Sequence, residues 1–249
     1  MNFRKSLVAI AVMFATFVMH AASLGIMVPA YFDPSSGYWN PLDYAASRVP
    51  LIAIMNPYNG PGASRNQAYV AVLANLHQAG GKVIGYVYSS YASRSLTNVE
   101  ADIDTYLSFY AVDGFFIDEM TDDQDTNHLA YYAALYSYIK AKDARYSVTG
   151  NPGENTRQDY LTKPTVDCLM IFENDNTNYP GFHPSDWVAQ YPAQQFAHIA
   201  YDVTNSAAMS NDVELVSTRH AGWIYLTEHG YATLPSYWTN EVQLCQHPK

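Results

Sequence analysis

Cysteine is scarce, with two residues in 249. That excludes a disulfide-stapled scaffold and any structural zinc site built on thiolates. Charge is scarce too, at 14% of residues, and it leans one way: 13 Lys plus Arg stand against 23 Asp plus Glu, a net of −10. A surface of that sign repels phosphate, so nucleic acid and anionic membranes are poor partners, while neutral or cationic substrates remain open. Several signature motifs are missing. There is no phosphate loop ending in Gly-Lys-Ser/Thr, no Gly-x-Ser-x-Gly elbow, no His-Glu-x-x-His and no Asn-x-Ser/Thr acceptor site. Nucleotide binding and serine-hydrolase chemistry therefore lack support, and neither a metal nor a cofactor is expected. Long apolar runs are confined to one place, residues 7–19.

That run sits inside a leader. Arg4 and Lys5 precede it, and Ala21-Ala22-Ser23 follows with small residues placed for cleavage before Leu24. Residues 1–23 read as a secretory signal peptide, since thirteen apolar residues are short for a membrane span; an N-terminal anchor is the competing reading. The protein is expected outside the cell or in the periplasm, free of the membrane once cleaved, and monomeric. Residues 24–249 then form the folded part, with a net charge near −12 once Arg4 and Lys5 are gone.

What is abundant is a repeated unit. Short runs rich in β-branched and aromatic residues begin at Gly25, Leu51, Lys82, Gly114, Tyr146, Cys168, Phe196 and Gly222. Helical periodicity lies between several of them, over 64–79, 98–110, 127–142, 206–216 and 236–244, and a short helix is expected within 155–161. Eight strands alternating with helices in one undivided segment predict an α/β fold, a single compact (β/α)8 TIM barrel; a doubly wound open sheet is the alternative.

In such a barrel the chemistry sits at the C-terminal ends of the strands. The polar residues there include Tyr31, Asn56, Tyr86, Tyr88, Asn151, Tyr201 and Tyr225, all candidates for contact with a sugar. Three carboxylates follow apolar runs directly: Asp118 and Glu119 after Phe115-Phe116-Ile117, and Glu173 after Leu169-Met170-Ile171-Phe172. At the edge of an apolar core a carboxyl's proton is held more tightly, which suits acid–base work; a helix cap or a rim ion pair would use the same residues. Paired carboxylates in unequal surroundings are the requirement for glycoside hydrolysis. Asp118 and Glu119 are neighbours, so in a regular strand only one points into the barrel. The segment Tyr88-Ser-Ser-Tyr91-Ala-Ser-Arg94 suits a sugar-facing wall or ordinary rim packing, and Asn56-Pro-Tyr-Asn-Gly-Pro-Gly62 reads as a chain reversal. His198 reads as structural, and a Cys168–Cys245 disulfide stays open.

These residues resemble the spherulin-4 family. The resemblance rests on Val28-Pro-Ala-Tyr31, Met55-Asn-Pro-Tyr-Asn-Gly-Pro-Gly62, Gly85-Tyr-Val-Tyr-Ser-Ser-Tyr91, Gly114-Phe-Phe-Ile-Asp-Glu119 and the later Glu173. It runs from about residue 25 to 173. The family includes enzymes of glycoside hydrolase family 135, so the resemblance implies a (β/α)8 barrel that cleaves α-1,4-linked N-acetylgalactosamine in a secreted exopolysaccharide. It also implies that Asp118, Glu119 and Glu173 are catalytic. The expected activity is thus an endo-acting glycoside hydrolase with a polysaccharide substrate. A non-catalytic carbohydrate-binding barrel and a hydrolase of another hexosaminide are the alternatives.

Overall fold

The computed structural model describes residues 24–248; the leader at 1–23 lies outside the described residues. Eight parallel strands close into a barrel in sequence order: β1 (Gly25–Ala30), β2 (Leu51–Met55), β3 (Lys82–Tyr88), β4 (Gly114–Asp118), β5 (Ser147–Gly150), β6 (Cys168–Asp175), β7 (Phe196–Tyr201) and β8 (Trp223–Leu226). Pairing of β8 with β1, Trp223 beside Gly25 and Ile224 beside Ile26, completes the ring. All residues of β1 and β2 are buried, as expected of strands covered by side chains inside and helices outside. The fold is therefore a (β/α)8 barrel and not an open sheet.

The outer layer is α1 (Trp39–Ala46), α2 (Gln67–Gln78), α3 (Leu96–Phe109), α4 (Thr126–Lys142), the single turn α5 (Asp159–Thr162), α6 (Ser206–Thr218) and α7 (Trp238–Gln246). Side chains of Asn66, Ser95, Asp125 and Asn205 accept the first free N–H groups of α2, α3, α4 and α6, which sets where each helix starts. The helix α1 was absent from the sequence pattern; its eight residues turn only Trp39, Leu42 and Ala45 inward. The β6–β7 crossover carries no α-helix. Two 3-10 turns, Asp186–Gln190 and Ala193–Gln195, replace it, because Pro180, Pro184 and Pro192 recur too often for an α-helical ladder.

His198 is fully buried and shares a 3.0 Å hydrogen bond with the Tyr179 hydroxyl, so it belongs to the packing. Cys168 and Cys245 are both buried and both free, so no disulfide joins them. Among the described residues no helix is long and apolar enough to cross a membrane.

Candidate active site

The side-chain phase of β4 decides which carboxylate enters the barrel. Phe115 packs outward on Tyr106 of α3, while Phe116 faces Tyr86 with ring centroids 6.3 Å apart. Two residues on from Phe116, Asp118 points inward as well. β5 lies between β4 and β6, and its backbone pairing continues past its end: Asn151 N–H donates to Ile117 O at 2.9 Å, and Glu173 N–H to Gly153 O at 2.8 Å. This places Asp118, Asn151 and Glu173 side by side at the mouth.

Asn151 joins the two carboxylates. Its Nδ2 donates to Asp118 Oδ1 at 2.7 Å and to Glu173 Oε2 at 2.5 Å. The two oxygens thus lie closer together than those bonds laid end to end, about 5.2 Å, and so well short of the roughly 6.5–9.5 Å of inverting glycosidases. The other Glu173 oxygen, Oε1, accepts a 2.6 Å hydrogen bond from the Tyr231 hydroxyl. Burial holds the Glu173 proton above the usual carboxylate range and the Asp118 charge adds to this; the bonds from Tyr231 and Asn151 pull the other way. Tyr86 lies within hydrogen-bonding reach of Asp118, and burial followed by the nearby carboxylates raises its pKa, so it stays a donor.

Glu119 turns aside. Its φ of 52° is left-handed, and its carbonyl accepts from Tyr91 N–H at 2.8 Å and Ser89 Oγ at 2.8 Å. The carboxyl does not join the Asn151 bridge, although its charge reaches Tyr86. Of the tyrosines expected at the mouth, Tyr31 stacks edge-on against Tyr86 and Tyr231, both at 5.6 Å. Tyr88 lies under the Arg94 guanidinium, 4.2 Å from its ring, and Tyr201 reaches Asn174 Oδ1 at 3.4 Å.

Two expected contact residues are placed otherwise. Tyr225 is fully buried behind Tyr231 and against Trp238, with its hydroxyl donating to Thr233 O, so it backs the wall instead of lining it. Asn56 uses its side-chain oxygen to accept Gly60 N–H at 2.9 Å, closing its own turn. Tyr231 was not among the sequence candidates. It lies five residues beyond the end of β8, and no local pattern marks it; the only cue was an aromatic in a loop on the mouth side.

The chain matches the sequence model of spherulation-specific family 4 over residues 25–245. Spherulin-4 of Physarum polycephalum is 32% identical over 233 residues, covering 87% of this chain and 68% of that protein. The chain belongs to spherulation-specific family 4. Among solved structures, its spherulation-family barrel superposes on Sph3 of Aspergillus clavatus, solved in complex with GalNAc, with a TM-score of 0.79 at 24% identity, covering 92% of this chain and 99% of that one. A GH18 chitinase of Pseudoalteromonas aurantia gives 0.58 at 12% identity, covering 90% and 100%. Dispersin B gives 0.54 at 10% identity, covering 91% and 98%. At those identities the likeness establishes that this family member has the fold of glycoside hydrolase barrels.

Proposed function

We propose that this chain is a secreted, endo-acting glycoside hydrolase of an amino-sugar exopolysaccharide, cleaving at α-1,4-linked N-acetylgalactosamine. The observation that carries the reading is the carboxylate pair, Asp118 and Glu173, bridged by one amide and too close for the water that an inverting enzyme places between its carboxyls, which favours retention of configuration. Glu173 is the group that donates its proton to the leaving glycosidic oxygen, since its surroundings keep it protonated longer than a free glutamate. Asp118 attacks the anomeric carbon, or orients the sugar's own 2-acetamido oxygen to do so. Glu173, now ionised, then takes a proton from the water that releases the sugar. Asn151 holds the pair in register and Tyr231 fixes the Glu173 rotamer. Glu119 tunes the field at the rim. Tyr31, Tyr86, Tyr88 and Tyr201 bound the sugar's apolar faces and hydroxyls. The GalNAc held by the Aspergillus relative and the net negative charge of this chain both favour an uncharged or cationic amino sugar over a uronic acid.

The test is product release from partially deacetylated α-1,4-galactosaminogalactan, with products identified by mass spectrometry. The parent is expected to cleave, and Asp118→Asn and Glu173→Gln each to lose about 10²-fold or more in kcat. A folded parent that cleaves a different hexosaminide polymer moves the substrate and keeps the machinery. A parent that binds polymer without cleaving any would make the barrel a carbohydrate-binding protein.

A further inference from the structure

Two tyrosines on the mouth side of the barrel are exposed far beyond what packing explains. Tyr58, in the loop after β2, is 85% exposed, and Tyr91, in the loop after β3, is 63% exposed. A single exposed aromatic is ordinary. The other strongly exposed one among the described residues, Tyr44, lies under the Arg48 guanidinium at 3.6 Å. Tyr58 and Tyr91 have neither a ring nor a cation over them.

Both sit in or beside left-handed backbone. Tyr58 precedes Asn59 at φ 49° and Gly60 at φ 143°, and its N–H donates to Gly60 O while Asn56 Oδ1 receives Gly60 N–H. Tyr91 itself has φ 53°, between Ser90 at 47° and Ala92 at 62°. Three successive side-chain-bearing residues in that region are strained, and such strain persists only where surrounding bonds hold it. Here the holding bonds run straight to the site: Tyr91 N–H donates to Glu119 O, and Ser89 Oγ donates to the same oxygen. Arg94 of the second loop pairs with Asp102 of α3 at 2.6 Å, and that carboxylate lies near Gly60 of the first loop. Tyr58 further lines a groove of about 310 Å³ with the polar residues Asp33, Ser64 and Asn66.

Because β2, β3 and β4 are consecutive in the barrel, Tyr58, Tyr91 and Asp118 follow one another around the mouth. We propose that Tyr58 and Tyr91 form a distal platform on which the sugar rings of a polysaccharide chain stack, leading it toward the carboxylate pair. The occupant is a glycan because pyranose rings present flat apolar C–H faces flanked by hydroxyls, which match a preorganised aromatic face with polar groups alongside. The proposal rests on the glycosidase reading and deepens it: a platform outside the cleavage point gives the enzyme a preference for long chains over short ones.

The test compares two substrates of the same linkage, partially deacetylated α-1,4-galactosaminogalactan and its trisaccharide, in Tyr58→Ala, Tyr91→Ala and the double variant. The double variant is expected to lose roughly tenfold in kcat/KM on polymer, mainly through KM, and far less on trisaccharide, while Tyr→Phe at both positions restores the polymer value. Affinity electrophoresis through gels containing that polymer, chitosan or amylose, with each variant placed in the Asp118→Asn background, reads binding without turnover. Equal losses on polymer and trisaccharide would overturn the platform by showing a distorted site. A parent that cleaves polymer with variants indistinguishable from it overturns the platform alone. A parent that neither binds nor cleaves any of the three polymers overturns both the platform and the glycosidase reading.

Discussion

The two ends of the barrel handle backbone crowding in opposite ways. At the floor, where strands begin, close approach is met by removing side chains. A Cβ on Gly114 would lie 2.1 Å from Ser147 O, and one on Gly25 would lie 2.4 Å from the Trp223 ring. At the mouth, side chains are kept in backbone conformations that glycine would adopt with less strain. Asn59, Ser90, Tyr91, Ala92, Glu119 and Asp202 are left-handed there, against His220 alone at the floor among the described residues. Left-handed backbone costs on the order of 1–2 kcal/mol for most side chains. The floor is therefore built for density, and the mouth tolerates strain in order to aim side chains, as expected where a barrel's loops carry function.

The comparison can be broken most forcefully at the floor. Gly114→Val has no room, because the obstacle is backbone, and is expected to cost at least about 3 kcal/mol. Chemical denaturation should show the loss, while whatever folds keeps its activity per molecule; a stable variant would show that the floor is less dense than described.

The next effect lies in the wall between the ends. Glu241 of α7 is fully buried, with one oxygen accepting Leu226 N–H at 2.9 Å and the other without a partner, and burial pushes its pKa up to about 8. The folded state then holds a proton that the unfolded chain releases near pH 4.5. Its contribution is complete below that pH and is lost as pH rises toward 8. Glu241→Gln should therefore raise Tm by several degrees at pH 8 and leave it nearly unchanged at pH 4, so that a pH series of melting curves flattens. An equal shift at both pH values would show that Glu241 is not protonated in the fold.

At the mouth, Tyr231→Phe removes the donor to Glu173 Oε1. Without that bond the Glu173 proton is held more tightly still, so the basic limb of the kcat/KM profile should move to higher pH. We expect kcat to fall about tenfold, as for a displaced acid–base group, with little change in Tm. An unmoved pH profile would reduce Tyr231 to a packing residue. The smallest effect is the most diagnostic of strain. Glu119→Asn puts a residue tolerant of left-handed backbone at φ 52° and should stabilise by about 0.5 kcal/mol while lowering activity. A loss of stability would mean that the Glu119 side chain supports the rim.

Much of the barrel was readable because each strand announces itself locally. β1, β2, β3, β4, β6 and β7 begin at the residues where their apolar runs begin, and β5 and β8 begin one residue later. The crossover from β6 to β7 was less readable, since prolines say where a helix is absent and not what replaces it. Asp118, Asn151 and Glu173 were legible as residues ending strands. Asn56 and Tyr225 were equally legible, and the structure gives them other work: a turn bond in one case, a buried wall in the other. Position at a strand end selects candidates, but side-chain rotamer and loop path decide which of them meet.

From the sequence alone came the alternation of strands and helices, the expectation that only one of Asp118 and Glu119 enters the barrel, and the acidic balance of the chain, because each depends on residues within a few positions or on a simple sum. Only the closed barrel decided that Asn151 bridges carboxylates 33 and 22 residues away, and that Tyr231 reaches back 58 residues to Glu173. Those bonds join groups with no local relation. They exist because eight paired strands carry the loops to one end, where burial makes an unpaired carboxylate costly and a well-placed donor stabilising.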